Sequence, residues 1–265
     1  LVSRPISLAA KARRRSFLIL ALVAVLTLLA GAGRAVQAAP ITITVDTPSD
    51  DPLALDCSDS LSDDCSLRGA ILKANADPGN SYTIVLPPDF STYGLDEDDE
   101  TPDDPTIRDL DILVDLTILG AGEAQTAISG ENGSVDYRVF HIHGGANVTL
   151  ANLTIRDGQN EDTALGGGGI LHEGASLMLQ NVTVSTNKSD HPGGGIANYG
   201  GDLTVTGSTF FGNGTTTESL PAIDDCGGGI YQDVTAGVLT ITTSEFTNNV
   251  SPWGGGAVCS YGETT

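Results

Sequence analysis

Apolar and polar residues alternate in short runs through the second half of the chain, and glycine-rich segments separate these runs at similar intervals. The glycine segments occupy residues 167–170, 193–196, 227–230 and 254–257, so their starts lie 26, 34 and 27 residues apart. Alternation with a period of two is typical of β-strands, because successive side chains of a strand point to opposite faces. A strand repeat of this length predicts a solenoid, in which each turn of the chain, called a coil below, stacks on the previous one.

Alignment of the repeats places similar residues in columns. The apolar columns contain Leu150, Leu179, Val205 and Ile241, and Ile155, Val184, Phe210 and Phe246. Threonine is common at the alternating positions, which predicts an apolar interior and a polar, β-branched exterior. A third column contains Asn187, Asn213 and Asn249, which we expect to stack inside the solenoid or at a turn and to form a hydrogen-bonded ladder. The glycine segments are predicted to form tight corners, because glycine adopts backbone conformations closed to other residues.

Residues 39–80 have a different pattern. A strand predicted at 41–45 precedes a loop with Cys57 and Cys65, and residues 66–75 then carry apolar side chains at helical spacing. Ser66 is predicted to cap this helix at its start, and Asn75 to end it in a left-handed conformation. A short amphipathic helix beside the first strand would cover the open apolar end of the solenoid.

The remaining chain is predicted to continue as strands at 82–86, 110–112, 116–118 and 126–128, with an acidic loop at 96–111. Regular coils are expected over 138–265, within a β-helix domain that covers 39–265. Because the sequence stops just as another coil begins, we expect the natural protein to continue beyond Thr265.

Residues 1–38 contain basic residues, then an apolar stretch at 17–30, then small residues, which is the order of a secretory signal peptide. An uncleaved membrane anchor is the alternative, but the apolar run is shorter than the ~20 residues needed to cross a bilayer. Cleavage after Ala38 would remove six of the twelve basic residues and none of the 34 acidic ones, so the net charge would move from −22 to −28. So acidic a surface excludes nucleic acid and anionic lipid headgroups as partners. We expect an extracellular or cell-surface protein, attached to a membrane only through the signal peptide or a further C-terminal anchor.

The four cysteines of an exported chain favour disulfides over metal ligation. Cys57 and Cys65 close a short loop that is easily bridged, and we predict a structural disulfide there. Cys226 and Cys259 lie six positions out of register within the repeat, which leaves their pairing open. A zinc site is the alternative, but the usual paired spacing of Cys and His is absent.

Two segments resemble known families. Residues 64–71, Asp-Cys-Ser-Leu-Arg-Gly-Ala-Ile, resemble the N-terminal domain named for its Cys-Ser-Leu-Arg-Glu-Ala motif and found on exported bacterial proteins, with Gly69 where Glu is usual. Residues 108–112 and 116–122 are similar to the segment that leads such domains into a β-helix. The coils are similar to the repeats of chlamydial polymorphic outer-membrane proteins, whose Phe-x-x-Asn motif fits residues 210–213 and 246–249. The resemblance implies an all-β, right-handed parallel β-helix on or outside the cell, often used in adhesion or display, and it carries over no catalytic residues.

Catalytic candidates are few. Parallel β-helices also include pectin lyases and polygalacturonases, and Asp224 with Asp225 forms a carboxylate pair of the kind that glycoside hydrolysis needs. We interpret this pair as part of a solvated loop and not as a catalytic pair. His141 and His143 share one face of a strand and could supply half of a metal site, but no acidic third ligand is evident nearby in the sequence, which favours a surface or turn role.

We therefore expect no cofactor, with weak structural Ca²⁺ binding by the acidic loop as an alternative. The predicted function is a non-catalytic secreted or cell-surface module for adhesion, display or binding of a glycan or protein. Its contact surfaces are predicted on the threonine-lined strands and on the insertion at 215–225. The alternative function is part of a polysaccharide lyase or glycoside hydrolase of the β-helix type.

Overall fold

A computed structural model describes residues 39–58, 61–95, 109–130, 138–161, 165–216 and 226–265. The predicted signal peptide at 1–38, most of the predicted acidic loop at 96–111, and the pair Asp224 and Asp225 lie outside these ranges. The described chain forms one helix, α1 (Leu67–Asn75), and three β-sheets. In the same ranges no helix combines the length and apolar character that a bilayer crossing requires.

The first sheet is the largest. Its main strand order is β1 (Ile41–Thr44), β2 (Tyr82–Val85), β5 (Leu116–Leu119), β8 (Asn147–Arg156), β11 (Ser176–Ser185), β14 (Asp202–Thr206) and β18 (Leu239–Thr242). The same sheet also contains β3 (Thr92–Gly94), β6 (Ala127–Ser129), β15 (Thr209–Phe211) and β19 (Glu245–Thr247).

Two smaller sheets form further sides of the coils. The second sheet has the order β4 (Leu110–Ile112), β7 (Phe140–Ile142), β10 (Ile170–His172), β13 (Ile196–Asn198), β17 (Ile230–Gln232) and β20 (Val258–Ser260). The third has the order β9 (Gln159–Asn160), β12 (Lys188–Ser189) and β16 (Gly214–Thr215). Each of these strands pairs in parallel with its equivalent in the next coil, so the described chain is a parallel β-helix, as the alternation predicted.

The predicted apolar columns are confirmed by the strand register. Leu179 pairs with Leu150 on one side and with Val205 on the other, and Val205 pairs with Ile241. Leu150, Leu179 and Val205 are fully buried. The second column is in register in the same way, with the rings of Phe210 and Phe246 stacked 4.7 Å apart. The interior is therefore a set of continuous apolar files, each supplied with one side chain by each coil.

Left-handed residues stack at the corners of the coils. At the bend of the first sheet Asn152, Asn181, Gly207 and Thr243 all have φ between 48° and 59°. At the corner before the second sheet the left-handed residue is the first glycine of a segment, as at Gly193 with φ 79°, where a Cβ atom would overlap the carbonyl oxygen of Ile196. The glycine segments thus form corners, as predicted, because one residue in each needs a backbone conformation and a space that exclude a side chain. This residue is the first glycine in the first three segments and the second, Gly255, in the fourth.

A ladder of asparagine amides follows the first sheet in three successive coils. Asn187 Nδ2 donates to Asn213 Oδ1 at 2.9 Å, and Asn213 Nδ2 donates to Asn249 Oδ1 at 2.9 Å. The same two oxygens accept the backbone N–H groups of Asn187 and Asn213 at 3.1 Å. The ladder therefore satisfies buried backbone donors where the chain turns and no sheet can do so.

Helix α1 packs at the N-terminal end of the same core. Leu67, Ala70, Ile71 and Ala74 are buried in it, and the Ser66 hydroxyl accepts the N–H of Gly69 at 2.8 Å as the N-cap. The predicted left-handed end at Asn75 is wrong, since Asn75 does not have a positive φ and the C-cap residue Ala76 has φ −72°. Asn75 instead uses its side chain to hold the turn after β4, because Nδ2 donates to the Asp111 carbonyl and Oδ1 accepts the N–H of Leu113.

Two disulfides use all four cysteines. The Cys57–Cys65 bridge closes the loop before α1, and Cys226 is bonded to Cys259. Cys226 and Cys259 occupy different positions within the repeat, but this difference does not keep them apart in space. Cys226 precedes the corner at Gly227, which places it over the outward face of the second sheet, in one apolar cluster with Tyr231, the register partner of Cys259. The bridge therefore joins a corner to a strand of the next coil.

We predict that Gly69→Ala destabilises the protein, although alanine favours helices over glycine by about 1 kcal/mol. A Cβ atom at Gly69 would overlap the carbonyl oxygen of Ala54, because residues 54–55 lie against α1 and Leu55 pairs with Cys65. We expect the free energy of unfolding to fall by about 2 kcal/mol or more in urea titrations. Gly79→Ala is the matched control, since its nearest neighbouring atom would be 3.8 Å away. A stabilised Gly69→Ala protein would contradict this packing.

The asparagine ladder gives a second prediction. Asn213→Ala removes side-chain hydrogen bonds to Val184, Asn187 and Asn249 and leaves a buried N–H unpaired, so we expect a loss of about 3 kcal/mol in unfolding free energy. Asn147→Ala, at an exposed strand position, serves as the control and should cost less than about 1 kcal/mol. Equal losses at the two positions would show that the ladder contributes nothing specific.

Candidate functional site

The outward face of the second sheet carries one column of strand-centre residues. Because the flanking positions, such as Leu110 and Ile112, point into the core, the residue between them points out. In register order the column is Asp111, His141, Leu171, Ala197, Tyr231 and Cys259. Its first two members are polar and partly exposed, whereas the next three are buried outside the main core, in the cluster that contains Cys226.

Polar side chains converge at the N-terminal end of this column. His143 Nε2 lies 2.6 Å from Asp111 Oδ1, and His141 Nδ1 lies 3.5 Å from the same oxygen. The two imidazole rings face each other with centroids 3.8 Å apart. On the far side of His141, Nε2 lies 2.8 Å from Glu173 Oε2. Asp111, His141 and His143 offer one ligand atom each, all within 4.8 Å of one another, and we call these three residues the His–Asp cluster.

The backbone fixes the positions of the cluster. Asp111 and His141 are direct neighbours in adjacent parallel strands, β4 and β7. His143 follows β7, and its N–H donates to the carbonyl of Ile112 at 3.0 Å, which extends the pairing by one residue. Glu173 follows β10 and its N–H donates to Ile142 in the same way. Three successive coils therefore supply the cluster and its flanking carboxylate.

The two histidines have different electrostatic environments. Burial lowers the pKa of His141, against the opposing effect of its hydrogen bond to Glu173. The hydrogen bond to Asp111 raises the pKa of His143. Nearby, burial raises the pKa of Asp109, whose carboxylate lies 3.6 Å from the Arg138 guanidinium. At neutral pH these conditions favour a neutral His141, whose Nε2–H is directed at Glu173 and whose Nδ1 faces Asp111.

The missing acidic ligand of the sequence analysis is Asp111. It lies 32 residues before His143, where the end of the predicted acidic loop overlaps the strand predicted at 110–112, and that strand is β4 in the structure. The sequence analysis does not align this strand with residues 140–142, so it does not bring Asp111 to the two histidines. A signal was present in the sequence, because Leu-Asp-Ile at 110–112 and Phe-His-Ile at 140–142 share an apolar–polar–apolar pattern one coil apart. Register alignment of these two triplets would have brought the ligands together.

A second candidate surface lies on the outward side of the first sheet. Its seven residues are uncharged, lie in two adjacent register columns and form what we call the threonine face: Thr149, Met178, Thr204 and Thr240 in one column, and Gln180, Thr206 and Thr242 in the other. The hydroxyls of Thr206 and Thr242 are 3.0 Å apart. Phe211, 45 % exposed, stands on β15 beyond the bend of the same sheet. The face therefore offers hydroxyl and amide groups at a regular spacing.

The other two histidines occupy different environments. His191 lies at a bend after β12, where its backbone N–H donates to the Ser189 hydroxyl at 3.1 Å. His172 is fully buried in the interior, in the column that continues with Asn198 and Gln232. Its Nδ1 accepts the N–H of Gly174, and no hydrogen-bond partner for Nε2 is present among the described residues. Burial lowers the pKa of His172 to about 4.

This burial predicts a pH dependence of stability. The unfolded chain binds a proton at His172 below about pH 6.5, whereas the folded chain does so only near pH 4, so stability is lost as the pH falls through this window. We expect His172 to account for a loss of about 3 kcal/mol. In His172→Asn, which imitates Asn198 at the equivalent position, unfolding titrations between pH 7 and about pH 4 should show a smaller decrease. Parallel pH profiles of the two proteins would refute the assignment.

Comparison with known proteins agrees with the architecture. A family model described as the right-handed β-helix region matches residues 125–265, which is more than half of the chain. No curated protein and no solved structure matches the chain. The parallel register does not by itself give the handedness of the coils, and the family match identifies it as right-handed. The chain therefore belongs to the right-handed β-helix family.

Proposed function

We propose that this protein is an exported, non-catalytic β-helix module that binds a neutral glycan on its threonine face, at the cell surface or in the surrounding medium. The observation that carries the proposal is the charge of that face. The chain has a net charge of −22, yet the seven residues that form the face are uncharged. The charged outward residue of β14, Asp202, lies in the neighbouring register column, at the border of the face. On so acidic a protein, an uncharged surface of hydroxyl and amide groups is suited to hydrogen-bonding sugar hydroxyls and not to binding ions.

The regular spacing of the coils supports a polymeric ligand. Side chains in one register column repeat at about 4.8 Å, which is the strand spacing of a sheet. Thr204, Thr206 and Gln180 therefore form a grid that several sugar units contact at once, and the exposed ring of Phe211 provides an apolar surface for a sugar ring to stack on. Because the stacked strands already hold the grid rigid, the protein loses little conformational entropy when it binds a ligand.

Export is supported by the sequence of residues 1–38 and by the disulfides. Both bridges are formed and no cysteine is left as a free thiol, a usage typical of proteins in oxidising compartments. The two bridges lie at different ends of the described β-helix, one before α1 and one in its last coils.

We infer further that residues 39–80 form an N-terminal domain of the Cys-Ser-Leu-Arg-Glu-Ala type. Its motif residues have identifiable structural roles here, since Cys65 is bridged, Ser66 caps α1 and Leu67 is buried. Arg68 pairs with Asp50 through two hydrogen bonds of 2.8 Å, with both side chains 2 % exposed. At Gly69 this sequence differs from the motif, which usually has glutamate there. The carbonyl of Ala54 lies so close to Gly69 that it leaves no space for a glutamate side chain. The motif thus serves to fasten the first coil, which suits a domain that starts a β-helix.

The binding proposal predicts a loss of glycan affinity when the threonine face is altered. We expect the full chain to bind a neutral polysaccharide on a glycan array, and Thr206→Lys with Gln180→Ala to weaken this binding at least about tenfold by titration calorimetry, because the pair removes hydrogen-bonding groups and adds a bulky charge. Thr235→Lys, at an exposed turn after β17, is the control and should bind like the parent.

The outcomes that oppose this proposal are distinct. If the altered face binds as tightly as the parent, the contact surface lies elsewhere. If the chain binds no glycan on the array, the proposal of glycan binding is refuted. Release of unsaturated uronates or new reducing ends from a polysaccharide would instead favour the alternative function, a lyase or hydrolase of the β-helix type.

A further inference from the structure

We propose that Asp111, His141 and His143 bind a divalent transition-metal ion, for which Zn²⁺ is the representative, and that this ion links two successive coils of the β-helix. The proposal concerns the second sheet and is independent of glycan binding on the first.

The distances between the ligand atoms suit one ion. Zinc–nitrogen and zinc–oxygen bonds are about 2.0 to 2.2 Å long, so tetrahedral ligand atoms lie about 3.4 Å apart. Asp111 Oδ1 is 3.5 Å from His141 Nδ1 and 2.6 Å from His143 Nε2, and all three atoms are within 4.8 Å of one another. Small rotations of side chains that are 18–35 % exposed bring them around one centre. The partial exposure leaves a further coordination position open to water.

Glu173 has the place of an outer-shell ligand. A histidine that binds a metal through one ring nitrogen usually donates the other N–H to a carboxylate, which fixes the tautomer and increases the basicity of the ligand atom. His141 Nε2 lies 2.8 Å from Glu173 Oε2, and its Nδ1 is on the side of Asp111. The carboxylate therefore orients the Nδ1 lone pair toward the other two ligands. A chance contact between two surface histidines would not need a carboxylate, here that of Glu173, at the outer ring nitrogen of His141.

The donor types select the class of metal. Two imidazole nitrogens and one carboxylate oxygen suit Zn²⁺ and its transition-metal neighbours, whereas Ca²⁺ and Mg²⁺ prefer sites made of oxygen ligands. The local charge also favours a dication, since Asp111 and Glu173 both lie at the cluster. The nearby cation Arg138 forms a salt bridge with Asp109 at 3.6 Å, and its charge also interacts with Asp111 and Glu173. Three carboxylates, those of Asp109, Asp111 and Glu173, thus surround this one guanidinium.

The proposed ion has a structural counterpart in the same column. Asp111 and His141 are the first two members of the outward column of the second sheet, and Cys259, bonded to Cys226, is the last described member. The disulfide joins the coils of β17 and β20, and the metal would join those of β4 and β7. Each is a cross-link between neighbouring coils outside the apolar core.

The test uses the exported chain without a histidine tag, stripped with EDTA and then titrated with Zn²⁺ against a chromophoric chelator. We expect one Zn²⁺ per chain, retained in millimolar Ca²⁺, and visible absorption bands of low-coordinate Co²⁺ when cobalt replaces zinc. The melting temperature should rise with Zn²⁺ and return with EDTA. Absence of stoichiometric binding, or displacement of zinc by Ca²⁺, would overturn the proposal.

Four variants distinguish a specific metal site from adventitious metal binding. His143→Ala and Asp111→Asn should each abolish the cobalt bands and the thermal shift. Glu173→Gln retains all three ligands and should bind about 10- to 100-fold more weakly. His191→Ala removes an imidazole outside the cluster and should bind like the parent. Far-UV circular dichroism without metal verifies that each variant is folded, which we expect because these side chains face outward. Unchanged zinc affinity in folded His143→Ala would refute the site.

Discussion

The in-register stacking of parallel strands is the constraint on which the rest of this structure depends. It places each residue about 4.8 Å from its equivalent in the next coil, so an inward residue contacts two others of the same position. Leu179 lies between Leu150 and Val205 for this reason. A single coil buries too few side chains to offset the entropy of ordering its chain, and the files of equivalent residues supply the missing burial. The same constraint turns isolated amides such as Asn213 into a ladder.

Stacking also explains where chemistry arises on this protein. Residues that are about 30 positions apart in sequence become neighbours on one face, so a site is assembled across coils and not along a strand. The outward column of the second sheet shows this most clearly. Its successive members form a polar cluster at Asp111 and His141, then an apolar patch around Tyr231, then a disulfide at Cys259. Three kinds of contact thus occupy one column because the outward position is free of the packing demands of the core.

The sequence predicted those features that depend on the periodicity of the regular coils. The apolar columns and the glycine corners could be aligned because residues 138–265 repeat the same pattern. It did not predict contacts that depend on coils of irregular length. No glycine segment precedes Leu110, so the register of Asp111 with His141 follows only from the shared apolar–polar–apolar triplets at 110–112 and 140–142 and not from the glycine repeat. The end of α1 was also mispredicted, because Asn75 has two hydrogen-bond partners at the turn after β4 that lie 36 and 38 residues away.

The division between inward and outward positions has a consequence for how this protein carries function. Stability is provided by the inward files, by the corners and by the cross-links. An outward residue such as Gln180 therefore changes little of the core when it is replaced, since its neighbours Leu179 and Val182 are held by the coils above and below. Two faces of one β-helix can in consequence carry unrelated chemistries, a neutral hydroxyl grid on the first sheet and a cluster of imidazole and carboxylate groups on the second. Neither face imposes a requirement on the other, because a continuous apolar cluster lies between them.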